Sequence, residues 1–80
     1  MKGEPTTVEA LFRSDGDITP QRFEWHGRMI RVQGVGRRWR EENERCFNVM
    51  ALGERVFQLR LNVETLRWSV SRGSGPPLVV

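Results

Sequence analysis

The sequence has no tyrosine, one cysteine, one histidine and, among its 13 basic residues, a single lysine, Lys2. Each scarcity closes off some chemistry. Cys46 is alone, so no intramolecular disulfide can form, which fits a reducing compartment. One His and one Cys cannot assemble the usual tetrahedral zinc set. No apolar run approaches the about 18 residues of a spanning helix, and the N-terminal stretch has no apolar leader core. The expectation is a cytoplasmic protein without membrane partner, metal or cofactor.

Catalytic signatures are missing as well. Gly34-Val35-Gly36 lacks the third glycine and the following helix of a dinucleotide fingerprint. Asp15 and Asp17 lack the remaining ligands of a calcium loop. Ser14, Ser69, Ser71 and Ser74 have no nucleophile-elbow context. Cys46 with His26 is the one conceivable thiol–imidazole pair, and a lone strand cysteine is more simply inert packing. The sequence therefore argues against an enzyme. Helical periodicity is also lacking after Gly16.

What is present is short-period alternation. The 80 residues carry three Trp and four Phe, none beyond Trp68, and read as one small β domain over 1–72. Residues 1–5 are expected to fray, and the Gly/Pro-rich stretch 73–80 to be a flexible tail. Residues 6–13 read as a strand with Val8, Ala10 and Phe12 inward. The good helix formers Glu9, Ala10 and Leu11 keep a helix open as the competing reading. Pro20 opens the next strand.

Residues 23–40 organise the rest. A turn at Gly27 and Arg28 sets Trp25 opposite Ile30 and Phe23 opposite Val32, with Glu24 facing Arg31. One β-bulge near Gly34 and Gly36 brings Trp39 to the core, opposite Phe47. Residues 41–44 then form a solvated acidic connection. A three-residue loop over 53–55 aligns Phe47, Val49 and Ala51 with Leu61, Leu59 and Phe57. A four-residue loop over 62–65 aligns Phe57, Leu59 and Leu61 with Val70, Trp68 and Leu66. The fold expected is all-β: a single antiparallel meander of five or six strands, curled into a half-open barrel or curved sheet.

Two surfaces follow from side-chain parity. The last hairpin sets Arg60 directly opposite Arg67 on the outer face, and opposed like charges invite an anion between them. Arg37, Arg38 and Arg40 surround Trp39, and Arg31 lies on the same strand. Guanidinium groups beside an aromatic on a curved β surface suit single-stranded nucleic acid, DNA or RNA. The plain alternatives are solvated arginines that guard a sheet edge, and arginine richness inherited from a GC-rich genome. Separately, Met50, Leu52 and Val56 fall opposite the aromatic core, as an apolar strip for a partner protein or a second copy. The leading expectation is a non-catalytic binding module for nucleic acid. A protein-interaction or homodimerisation domain is the alternative.

The motif Phe23-x-Trp25-x-Gly27-Arg28-x-x-x-Val32, followed by Arg38-Trp39-Arg40, Phe47-Asn48-Val49, Phe57-Gln58-Leu59 and Arg67-Trp68-Ser69-Val70, resembles a small bacterial domain family of unknown function. The resemblance spans residues 20–72. Some members of that family occur near genes of translesion-type DNA polymerases. The resemblance implies a DNA-related accessory role and supplies no catalytic residues.

Overall fold

Alternating apolar and polar residues, punctuated by turn residues, build seven strands in the computed structural model, which describes residues 3–73. They are β1 (Glu4–Thr6), β2 (Val8–Phe12), β3 (Ile18–Trp25), β4 (Arg28–Glu41), β5 (Glu44–Ala51), β6 (Arg55–Asn62) and β7 (Trp68–Arg72). All pairings are antiparallel, in the order β1-β7-β6-β5-β4-β3-β2, and the sheet curls into a half-barrel. Among the described residues there is no helix.

The N-terminal segment does more than expected. Residues 6–13 are extended rather than helical, and the chain breaks at Thr7 into two strands. β1 pairs with β7 while β2 pairs with β3, so one short stretch joins both edges of the sheet. Thr6 Oγ1 donates to the Glu24 carbonyl at 2.6 Å, and Glu24 N–H donates to the Thr7 carbonyl at 3.0 Å. Glu4 and Pro5 are therefore not frayed; Pro5 sits in an edge strand, where a missing N–H is tolerated. Gly3 makes this approach feasible: its φ is +87°, and a Cβ there would lie 2.5 Å from the Val70 carbonyl oxygen. The tail expected over 73–80 lies outside the described residues except for Gly73.

The core is the inner face of the curl. Phe23, Phe57, Val49 and Leu59 are wholly buried, and Phe47, Ile18, Leu61, Ala51 and Val70 nearly so. Trp25 and Trp68 lie half-buried against them. Each such large side chain contributes about 1.5–3 kcal/mol on burial. Val8 and Ala10 face this core as read from parity. Phe12 does not: at the end of β2 it is 60% exposed, because the sheet offers nothing to cover it.

Three hairpins share one deviation. Trp25 faces Arg28 and Phe23 faces Ile30, so Glu24 meets Met29 and Arg31 meets Arg22. Val49 faces Phe57 instead of Leu59, and Leu59 faces Val70 instead of Trp68. Each register has slipped by two residues, one step at the turn. A two-residue slip leaves strand side chains on their faces while cross-strand neighbours change, but Leu66, expected inward opposite Leu61, falls in the last loop and is 70% exposed. Turn backbone decides the step. His26 and Gly27 have φ of +50° and +83°, the two positive values of a type I′ turn. The β5–β6 loop is Leu52, Gly53 and Glu54, with φ +80° and +59° at its last two positions. In the last loop Asn62 Oδ1 accepts from the N–H groups of Glu64 and Thr65, at 2.9 and 3.0 Å, and Leu66 takes φ +60°. Gly27→Ala is expected to cost about 1–2 kcal/mol, the strain of a Cβ in left-handed backbone. A urea midpoint equal to the parent's would show that this turn is not what fixes the register.

Bulges account for the rest. In β3 the register jumps from Glu9↔Arg22 to Ala10↔Pro20, leaving Gln21 extra. The jump puts Pro20 and Ile18 inward with Phe23, and Pro20 is the third residue of its strand rather than the first. β4 carries two bulges where one was expected. Val32 faces Ala51 but Gly34 faces Met50; Val35 faces Val49 but Arg38 faces Phe47. The second extra residue flips the parity again. Trp39 consequently faces Cys46 on the outer side, not Phe47 in the core.

Candidate nucleic-acid interface

The twelve arginines of this chain behave in two different ways. Arg60 is structural. It lies opposite Ser69, and Arg67 lies at the end of the last loop, where its carbonyl accepts from Asn62 N–H at 2.9 Å. The opposed Arg60/Arg67 pair expected from parity does not exist, because the last hairpin's register is two residues away from it. Arg60 is also 8% exposed and tied to internal acids. One guanidinium nitrogen donates to Glu41 Oε1 at 2.9 Å, Glu44 Oε1 at 3.0 Å and Cys46 Sγ at 3.3 Å. Its other two nitrogens donate to Gln58 Oε1 at 3.1 and 2.6 Å.

The like-charge logic does apply here, with the signs reversed. Glu41 and Glu44 are directly opposite each other across the tight turn at Glu42 and Asn43, and Arg60 is the cation between them. These residues are thus not a solvated acidic loop. Burial by itself lowers the Arg60 pKa, and the hydrogen bonds to Glu41 and Glu44 more than reverse this, so it stands above its ordinary value. Glu41, Glu44 and Cys46 bring one ligand atom each within 4.8 Å of one another. A guanidinium already fills that position, so the cluster reads as a strut in which one cation bridges two carboxylates. Nothing in residue spacing announced it: it needs both the second β4 bulge and the shifted β5–β6 register, which sets Cys46 opposite Arg60.

Trp39 is half-buried on this outer face. Its Nε1–H donates to Glu41 Oε2 at 3.0 Å, and the Arg37 guanidinium carbon lies 4.8 Å from its ring centroid. Arg37 thus covers an aromatic face instead of reaching freely into solvent. Cys46 lies buried against Arg60, whereas His26 stacks on Trp25 at 4.1 Å and meets Glu4 at 3.5 Å. The two therefore do not make a thiol–imidazole pair.

The partner strip is broken. Val56 is buried, with Gly73 N–H donating to its carbonyl at 2.8 Å and the Gly73 backbone packed on its side chain. Met50 is half-buried opposite it. Only Leu52, 74% exposed in the β5–β6 turn, remains of the three as an open apolar surface.

Five other arginines, Arg22, Arg28, Arg31, Arg38 and Arg55, line the space where β3 and β4 part. The two strands pair only from Arg22↔Arg31 to Trp25↔Arg28; beyond that, β4 pairs with β5 and the first half of β3 with β2. The splay opens a slot of about 810 Å³, with Thr19, Pro20 and Gln21 on one side and Arg31, Gln33 and Arg38 on the other. A second groove of about 470 Å³ runs on from it, sharing Met29, Arg31 and Gln33, and adding Trp25, Arg28 and Arg55. Arg22 in the slot bonds Glu9 at 2.8 and 2.9 Å, with both side chains half-exposed, an interaction worth only about 0.2–1 kcal/mol. Among the described residues, no ion pair holds Arg28, Arg31, Arg38 or Arg40. Arg38 extends over the Phe47 ring at 5.9 Å, and Arg40 lies directly opposite Arg45, which turns away to donate to the Gly16 carbonyl at 3.1 Å.

Fold and site together define a small all-β half-barrel whose wall is parted by an arginine-rimmed slot. No family model, curated protein or solved structure matches this chain.

Proposed function

We propose that this domain is a non-catalytic module that binds single-stranded nucleic acid along β4, across the slot between β3 and β4. The observation that carries the reading is the contrast between arginines. Arg60 is neutralised inside the protein, and Arg22 is weakly paired. Arg31 and Arg38, both on the β4 side of the slot, have no carboxylate partner among the described residues. Unpaired guanidinium groups along an open groove are placed to take phosphates. The apolar strip behind the alternative, a protein-interaction or homodimerisation domain, is reduced to Leu52.

Fluorescence anisotropy with a labelled single-stranded oligonucleotide tests this. Binding is expected at low salt, weakening steeply as salt rises. Arg31→Glu with Arg38→Glu is expected to lower affinity at least tenfold and to flatten the salt slope by about 1.4, two phosphate contacts at about 0.7 each. No binding at about 100 µM protein in low salt, or a double variant that binds like the parent, overturns the proposal.

A further inference from the structure

Both strands that face the slot carry a bulge there, and in each the extra residue is glutamine. On β3 the step from Glu9↔Arg22 to Ala10↔Pro20 leaves Gln21 without a partner. On β4 the step from Val32↔Ala51 to Gly34↔Met50 leaves Gln33 without one. A bulge re-aims the side chain it inserts, and both of these line the slot. Both are exposed, and among the described residues neither side chain makes a hydrogen bond to the protein. Gln58, by contrast, is fully engaged with Arg60 and Asn48.

From this juxtaposition we propose that the slot admits one unstacked base of a single strand, whose polar edge is read by the Gln21 and Gln33 amides. The inference rests on the nucleic-acid reading above and adds to it a site of base recognition. Four features argue for it. The slot's size falls within the roughly 300–1,000 Å³ of small-ligand sites. Its walls include the half-buried Val32 and Val35, which suit a flat, largely apolar ring face. A carboxamide offers two donors and an acceptor in one plane, the complement of a base edge where donor and acceptor are adjacent. Arg31 and Arg38 stand before and after Gln33 on β4, placed for the phosphates that flank a splayed base.

Anisotropy titrations of the full chain against labelled homopolymers of dA, dC, dG and dT provide the test. Gln21→Ala with Gln33→Ala is the variant, and both positions are exposed enough that its urea midpoint should match the parent's. The parent is expected to prefer one homopolymer by roughly tenfold, the scale of a bidentate amide–base contact. The double variant should lose that preference while keeping the parent's salt slope. Equal binding of all four strands, or a preference that survives in the double variant, overturns base reading and leaves the arginine track standing. If no homopolymer binds, both proposals fall together.

Discussion

Phe57→Ala is expected to remove a large part of the domain's folding stability and to move its urea midpoint far below the parent's. Phe57 is wholly buried in β6, the strand flanked by β5 and β7. Phe23 meets it edge-on at 4.9 Å between ring centroids and Trp25 at 5.1 Å. The guanidinium groups of Arg55 and Arg72 lie 5.7 and 5.4 Å from its centroid. Removing the ring costs the transfer free energy and leaves a cavity that a curled sheet cannot close, about 3–5 kcal/mol in all. A domain of this length has only about 4–12 kcal/mol of stability, and with Cys46 as its one cysteine it has no disulfide in reserve. Far-ultraviolet circular dichroism against urea measures the loss. Phe57→Leu, which keeps more volume, should retain a cooperative transition at a lower midpoint. A loss below about 1 kcal/mol for Phe57→Ala would mean that this ring is not the centre of the core.

The residues that make this core were legible because parity is a strong signal. Phe23, Phe47, Val49, Phe57, Leu59 and Val70 all face inward, as alternation alone requires. Register was not legible by the same means. Trp25 opposite Ile30 and Trp25 opposite Arg28 differ by two residues, and both bury the same faces. The choice lies in whether His26 or Arg28 joins Gly27 in the turn. His26 takes positive φ while stacking on Trp25, a contact that no count of alternating residues contains.

Cross-strand arguments about charge inherit this weakness. The opposed Arg60/Arg67 pair depended on register and vanished with it. Two like-charge oppositions that parity did not name, Arg22↔Arg31 and Arg40↔Arg45, stand in its place. In each, one member turns to an acceptor within the protein, Arg22 to Glu9 and Arg45 to the Gly16 carbonyl. The other member is left facing solvent. Bulges were the second hidden term. Gly34 and Gly36 advertised one irregularity in β4. Two occur, and an even number restores the original parity. Trp39 is thereby exchanged for Arg38 on the concave side, which puts a guanidinium, not an indole, at the slot.

Arg60→Met is expected to destabilise the domain by about 2–4 kcal/mol at pH 7. The loss does not come mainly from a missing attraction. Without the guanidinium, Glu41 and Glu44 are two partly buried carboxylates held opposite each other, and breaking a buried ion pair from one side typically costs about 3–5 kcal/mol. The lower figure reflects the remaining exposure of both acids, which lets water screen them. A double-mutant cycle isolates the cause. Glu44→Gln should destabilise the parent, yet stabilise the Arg60→Met protein, because in that background it removes a repulsion. If Glu44→Gln has the same sign in both backgrounds, the strut is not electrostatic. The sign with pH also follows. A raised Arg60 pKa adds stability that is complete below the unfolded-state value and is lost only as pH rises through the higher folded-state value. Titration of Arg60 itself should therefore leave stability unchanged between pH 5 and 9 (about the range accessible without unfolding). The same variants separate the two kinds of arginine. Arg60→Met combined with Glu44→Gln should bind oligonucleotides as the parent does, since Arg60 faces its own carboxylates, while a folded Arg31→Glu/Arg38→Glu protein should not.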